Sequence, residues 1–300
     1  MDAIKQVLHE TQKIIVGKET QIKLSLAAFI SRTHLLIEDI PGVGKTTLAK
    51  TLSHVLGLEY SRIQFTNDLL PSDIIGINFY NTQDATFSFK KGPLFSQFLL
   101  ADEINRASSK TQSALLEAME ENHVSVDGET YKLPQPFFVI ATKNPFEEVG
   151  TYELPSSQLD RFGLSISLGY PSYEAEKAIL SNKKYDLQML QVLTPSQTEA
   201  ILNAVEDIHV SEDILGLLQE ILKFTRESSL YMTGLSTRAA INTLSIAKAW
   251  ALISERDYVL PSDILDILPY VTHHRLQSKG ERKTAQEIVD EITQTLHIDT

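Results

Sequence analysis

The sequence predicts an α/β fold, a doubly wound parallel sheet, followed by a smaller all-helical domain. Three observations carry this. Five short apolar runs are mostly continuous rather than alternating, as expected for parallel strands covered on both faces. Helical stripes lie between most of them, and strands alternating with helices imply such a sheet. After "GYPSYEAEKAIL" (169–180) the strand signal stops and capped helices follow one another. The domains are therefore set at 1–170 and 171–300.

Element by element, "HLLIE" (34–38) reads as the first strand. Beyond Gly44, the residues Leu48, Ala49, Leu52, Val55 and Leu56 form one helical stripe, stopped by Gly57. "SRIQF" (61–65), "QFLLAD" (97–102), "FFVIAT" (137–142) and "LSISL" (164–168) are the other strands. Ser108 or Ser109 can cap a helix carrying Ala114, Leu115, Ala118 and Met119. Two hairpins interrupt the scheme. "INFYNTQDATFSFKKGP" (77–93) alternates around a polar turn, and "HVSVDGETYKL" (123–133) carries the Asp127-Gly128 turn signal. In the second domain "SQTEAILNAVEDIHV", "SEDILGLLQEILKFTRES", "STRAAINTLSIAKAWALIS" and "PSDILDILPYVTHHRL" read as helices with Ser or Thr caps. The basic stretch "HHRLQSKGERK" (273–283) reads as a solvated face.

Composition narrows the function. The 300 residues contain no cysteine, which excludes disulfides and thiolate metal sites. The net charge of −12 argues against nucleic acid as the main partner. "MDAIKQVLHETQK" lacks an apolar signal core, and no stretch approaches the length of a membrane span. The expectation is a cytoplasmic protein without membrane insertion.

The chemistry starts at "LLIEDIPGVGKTTLAK" (35–50), a strand, a glycine loop and a helix. A phosphate loop needs inward-pointing N–H groups that bulky side chains obstruct. Pro41, Gly42, Val43, Gly44 and Thr47 frame such a loop, with the positive end of a helix behind it. Lys45 would reach the β- and γ-phosphates, and the Thr46 hydroxyl would ligate Mg²⁺. The general loop pattern asks for Gly at position 39, where this chain has Asp39. Asp tolerates left-handed backbone and bonds its own main chain, so Asp39→Gly is expected to keep ATP binding within a few-fold.

"FLLADE" ends a hydrophobic strand in Asp102 and Glu103. On a strand next to the loop strand, Asp102 can hold Mg²⁺ and Glu103 can polarise a water for attack on the γ-phosphate. Asn144, after the next buried strand, can orient that water; an Asn-Pro turn also explains it. Arg161 precedes the last strand and suits an arginine finger from a neighbouring subunit, or a salt bridge to Asp160 or another acid. Arg238 opens a helix of the second domain. It either closes that domain over bound nucleotide or is a solvated helix-start residue.

These parts in this order resemble the AAA+ ATPase family of P-loop NTPases. "VGKE", "HLLIEDIPGVGKTTLAK", "IQFTNDLLPSDIIG", "GPLFSQFLLADEINRASSKTQSALLEAMEE", "VDGETYKLPQPFFVIATKNP" and "LPSSQLDRF" resemble the MoxR family within it. The resemblance implies an AAA+ module with two inserted hairpins and a helical lid, using ATP and Mg²⁺. It implies Walker A roles for Lys45 and Thr46 and Walker B roles for Asp102 and Glu103. Asn144 matches sensor 1, Arg161 the arginine finger and Arg238 sensor 2. Val16 and Gly17 match the segment beside the adenine base, and Arg106 a second interface arginine. Lys143 stands where the family more often has Gln. The hairpins match the helix-2 insert and the pre-sensor-1 hairpin, which face the pore or the substrate side of a ring. The resemblance further implies a homo-oligomeric ring, a hexamer, that remodels a protein client, often beside a von Willebrand factor type A domain partner. The alternative within AAA+ is a motor or loader acting on nucleic acid.

Overall fold

A computed structural model of the chain describes residues 2–82, 86–145, 150–181, 186–280 and 283–296. Helices α1 (Asp2–Gln12) and α2 (Glu19–Ile30) precede β1 (His34–Glu38), which runs through the glycine loop into α3 (Lys45–Val55). Strand β2 (Tyr60–Gln64), the short α4 (Pro71–Ile75) and the hairpin β3 (Gly76–Asn81) and β4 (Thr86–Lys91) follow. Then come β5 (Phe98–Asp102), α5 (Ser109–Glu121), and the hairpin β6 (His123–Val126) and β7 (Glu129–Lys132). Strand β8 (Phe138–Lys143), the single turn α6 (Ser156–Leu159) and β9 (Phe162–Ile166) complete the α/β part. The rest is α7 (Tyr173–Leu180), α8 (Pro195–Ala204), α9 (Glu212–Glu227), α10 (Thr237–Ile253), α11 (Pro261–Thr272) and α12 (Ala285–Leu296).

The five apolar runs form one parallel sheet in the order β2-β5-β8-β1-β9. Alternation of side chains splits the four strands other than β2 between two cores. Leu35, Ile37, Phe98, Leu100, Phe138, Ile140, Leu164 and Ile166 join the core on one face, with α1 to α3 and the C-terminal helices. Leu36, Leu99, Ala101, Val139 and Ala141 join the core on the other face, under α4 and α5. Both faces of β1, β5, β8 and β9 are buried, so these strands read as continuously apolar, whereas the edge strand β2 exposes Arg62 and Gln64.

Strand order corrects one expectation. β8 lies between β1 and β5, so the strand carrying Asp102 is not the immediate neighbour of the loop strand. The edge strand β9 is covered by α10 and α11, and α10 also packs on α2. This covering changes the reading of the basic stretch 273–283. His274, Arg275 and Leu276 are buried, while residues 281 and 282 lie outside the described residues. His274 Nε2 donates to the Phe162 carbonyl at 3.0 Å, and burial holds its pKa well below the usual histidine value. Helix α11 is also capped differently from expectation. The Asp263 carboxylate accepts from Leu260 N–H at 2.7 Å and is gripped by Arg256.

Both hairpins form. Asp127 and Gly128 take φ of 51° and 87°, the two positive values a tight I′ turn requires. The hairpins also hold each other. Asn78 Nδ2 donates to Asp127 Oδ2 at 2.6 Å, and Phe89 stacks on Tyr131 with centroids 4.3 Å apart.

Candidate active site

The site gathers at the C-terminal ends of the strands, the usual ligand edge of an open α/β sheet. Gly42 and Gly44 have φ of 85° and 98°, and a Cβ at either would meet nothing within 4 Å. The positive φ demands glycine there, and the loop opens on empty space at the start of α3. A loop of this shape, backed by a helix dipole, can cradle phosphate oxygens. Lys45 Nζ donates to the carbonyls of Asp39 (2.7 Å) and Ile40 (3.0 Å), so the cation is held at the loop mouth. Thr46 lies in the first turn of α3; its hydroxyl, like the Asp102 carboxylate at the end of β5, is an oxygen donor of the kind a hard cation takes.

Asp102 is buried at the end of β5. Its Oδ1 accepts from the Thr142 hydroxyl at 2.6 Å, and its Oδ2 from Arg62 at 2.6 Å. Glu103 follows in left-handed backbone, φ 56°, an unusual state for glutamate that its N–H bond to Thr142 Oγ1 (2.8 Å) supports. Thr142 thus bridges the two acids. Glu103 Oε2 accepts from Gln64 (2.8 Å) and from Arg106 (2.9 Å). Arg106, assigned by resemblance to a subunit interface, here braces the acid of its own chain. Sequence reasoning missed Arg62, Gln64 and Thr142. Arg62 and Gln64 stand two apart in "SRIQF", hence on one face of β2, but only the β2–β5 pairing shows that this face meets the acids.

Asn144 is buried just beyond β8, and residues 146–149 lie outside the described residues. Before it, Lys143 Nζ sits 3.8 Å from the carboxylate of Glu38, its registered neighbour on β1, and Ser165 donates to Glu38 at 3.0 Å. The lysine in place of the family's usual Gln therefore has an acid beside it. Gly17 lies against the start of the 172–175 segment; a Cβ there would stand 3.6 Å from Ser172 Oγ. Lys18 Nζ donates to the Tyr170 carbonyl at 2.8 Å. Val16 is partly exposed beside it.

Asp39 bonds the adjacent main chain as expected, but not from left-handed backbone. It is not among the residues of positive φ, and its carboxylate is buried in a set of donors. Oδ1 accepts from Ile40 N–H (2.8 Å). Oδ2 accepts from Ser167 Oγ (3.0 Å), Leu168 N–H (2.6 Å) and Gly169 N–H (2.7 Å). It points away from the phosphate cradle and ties the loop to the segment leading into α7. Asp39→Gly is therefore expected to cost about 1–3 kcal/mol, because buried donors lose their acceptor. Urea denaturation reads this as a lower midpoint at unchanged slope.

The two remaining arginines lie elsewhere. Arg161 immediately precedes β9, whose Phe162 registers with His34 at the start of β1. Arg161 and Arg238 both pair with Glu120 in the last turn of α5, Arg161 at 3.0 Å. They share a cavity of about 160 Å³ with Arg32, His34, Met119 and Asn242. The phosphate loop leaves the other end of β1, about 13 Å away along the strand at a rise of roughly 3.3 Å per residue. Arg238 therefore does not close over the nucleotide of its own chain. Packing of α10 on α2 and β9 fixes it at the far end of the sheet. Asp160, one candidate partner for Arg161, instead binds Arg275 Nε (2.7 Å) and Ser236 Oγ (2.7 Å).

A parallel sheet with this strand order, a glycine loop running into a helix and a pair of acids on β5 define a P-loop nucleoside triphosphatase. Comparison with known proteins narrows the class. Residues 34–164 match the ATPase family associated with various cellular activities (AAA), and residues 223–292 match an AAA lid domain. The chain is 41% identical to an uncharacterized Bacillus subtilis protein, YeaC, over 98% of this chain and 94% of that one. It is 37% identical to chaperone MoxR1 of Mycobacterium tuberculosis, over 98% of this chain and 81% of that protein. The crystal structure of a proposed ATPase from Cytophaga hutchinsonii matches with a TM-score of 0.91 at 38% identity, covering 100% of this chain and 96% of that one. The chain belongs to the MoxR family of AAA+ ATPases and is an ATP hydrolase. No helix among the described residues is long and apolar enough to cross a membrane.

Proposed function

We propose that this ATPase works as a homo-oligomeric ring, a hexamer, whose nucleotide sites are completed between subunits and whose turnover remodels a protein client. The observation that carries the reading is the position of Arg161 and Arg238 at the end of β1 opposite the phosphate loop. In a head-to-tail ring, opposite faces of the subunit meet at every interface. The loop of one subunit then faces the arginines of the next.

In this reading Val16 and Gly17 flank the base, and Pro41, Gly42, Val43, Gly44, Lys45, Thr46 and Thr47 hold the phosphates. Thr46 and Asp102 would hold Mg²⁺, which would supply charge neutralisation at the phosphates. Glu103 accepts the proton of the attacking water, and Asn144 orients that water. Arg161 and Arg238 of the neighbour stabilise the charge that develops on the transferred phosphoryl. Residues 1–170 act as the nucleotide-binding module and 171–300 as the lid.

A client surface is supported by the β3–β4 hairpin, where Ile77, Phe79, Tyr80 and Phe87 are exposed together. The description of MoxR1 as a chaperone supports a protein client over nucleic acid, as does the net charge of −12. A von Willebrand factor type A domain protein as co-factor and a cytoplasmic site of action complete the reading.

Glu103→Gln tests it. The variant is expected to bind ATP within a few-fold of the parent, and its turnover to fall by about 10²–10⁴-fold. With ATP it should persist as a ring, read by light scattering. A monomer at every ATP concentration contradicts the ring, and unchanged turnover contradicts the role of Glu103.

A further inference from the structure

Two arginines given separate roles converge on one carboxylate. Arg161 meets Glu120 Oε2 at 3.0 Å, and Arg238 meets Glu120 Oε1. Residues adjoining them in the chain are tied as well. Asp160, next to Arg161, accepts from the hydroxyl of Ser236, which also caps α10 two residues before Arg238. Arg275, buried, holds the other oxygen of Asp160 at 2.7 Å. The guanidinium groups are therefore fixed close enough for one multi-oxygen anion to bridge both. Arg161 Nε is buried with no hydrogen-bond partner among the described residues, so Glu120 leaves part of that guanidinium unsatisfied. The nearby His34 adds no charge. Its Nδ1 accepts from Val139 N–H at 3.1 Å, its Nε2 lies 3.1 Å from the Met119 carbonyl, and burial lowers its pKa to about 4. Arg32 is turned toward Asn203 (3.3 Å) and Glu206 (3.8 Å).

We infer that Glu120 is a latch on this arginine pair. It occupies, in the separate subunit, the place that the terminal phosphate of a neighbour's nucleotide takes in the ring, and it thereby sets the concentration at which hydrolysis switches on. The inference rests on the reading that sites are completed between subunits. The exchange is one anion for another, and the more highly charged phosphate wins the arginines once the faces meet. Position gives the latch a further consequence. Glu120 lies in the last turn of α5, where the helix dipole disfavours a carboxylate, between Glu117 and Glu121. When the arginines leave, that turn carries uncompensated negative charge. The same helix begins just after Glu103 and Arg106 and runs into the β6–β7 hairpin. Release of the latch at one end is thus felt by the helix that connects the subunit's own acid to its hairpin.

Glu120 is a positioning residue, and its test is the protein concentration at half-maximal turnover per subunit. For Glu120→Gln this threshold is expected to fall about 3–10-fold, since a neutral amide holds two partly exposed guanidinium groups less well. Affinity for a fluorescent ADP analogue, measured on dilute protein, should be unchanged, because that site lies at the other end of β1. An unchanged or raised threshold with unchanged ADP affinity overturns the latch. If Glu120→Gln does not fold, Glu120→Asp carries the same test, because the shorter acid cannot span both arginines. An unchanged threshold there overturns the proposal equally. Failure of the underlying reading looks different: wild-type turnover per subunit would then not depend on protein concentration at all.

Discussion

Arg161→Ala is expected to lower turnover by about 10³-fold or more, the usual scale for an arginine finger. The side chain touches no part of its own phosphate loop. It sits before β9, level with the start of β1, and is partly buried beside Glu120. Loss of the guanidinium should therefore leave nucleotide affinity of the dilute subunit within a few-fold. A mutation that lowers turnover and leaves ground-state binding intact removes an interaction made in the transition state. Steady-state hydrolysis at saturating ATP, set beside ADP-analogue binding, reads both quantities. Turnover at the wild-type level would show that Arg161 serves only the ion pair with Glu120.

The second large effect is on stability. Arg275→Ala is expected to destabilise the chain by about 3–5 kcal/mol, the cost of removing one partner from a buried pair. Arg275 is 7% exposed. It donates to Asp160 Oδ1 (2.7 Å) and to the carbonyls of Val271 (2.8 Å), Gly163 (3.0 Å), Asp160 (3.3 Å) and Phe162. Burial pulls its pKa down, and the hydrogen bond and charge of Asp160 oppose that. Alanine would leave Asp160 and three further carbonyls without this donor at the seam between β9 and α11. Lysine should not restore the loss, because it lacks the planar fork. Urea denaturation should show a lower midpoint for both variants. As a contrast, Arg238→Ala, at an exposed pair, should cost within about 1 kcal/mol. A similarly small loss for Arg275→Ala would mean that the seam does not depend on this arginine.

The sequence made the secondary structure legible where local physics decides it. Continuous runs such as "FLLAD" sit in a sheet with two buried faces, and Asp127-Gly128 takes the turn that its residues favour. The glycine loop running into α3 and the strand ending at Asp102 and Glu103 were readable because their pattern is written in adjacent residues. What escaped depends on pairing across the chain. Arg62, Gln64 and Thr142 reach the acids only through the order of the strands. Arg275 looked like part of a solvated basic stretch because no local pattern records that α11 covers the edge strand. Asp39 was read for its backbone tolerance and its bond to the neighbouring main chain, which Ile40 N–H supplies, yet the partners of its other oxygen lie 128 to 130 residues further on. Arg238 was left between closing over bound nucleotide and a solvated helix start, because sequence shows the start of α10 but not the end of the sheet where that helix docks.

The central claim is that each site joins the acids of one subunit to the arginines of another. Mixing two inactive variants, Arg161→Ala and Glu103→Gln, tests it most directly. In rings assembled at random from equal amounts, about one quarter of the interfaces would pair an intact Glu103 with an intact Arg161 from the neighbour. Turnover should therefore rise from near zero for either variant alone to about one quarter of the wild-type value in the mixture. If the mixture stays as inactive as its components while rings containing both variants are detected, the two residues act within one subunit and the account is contradicted.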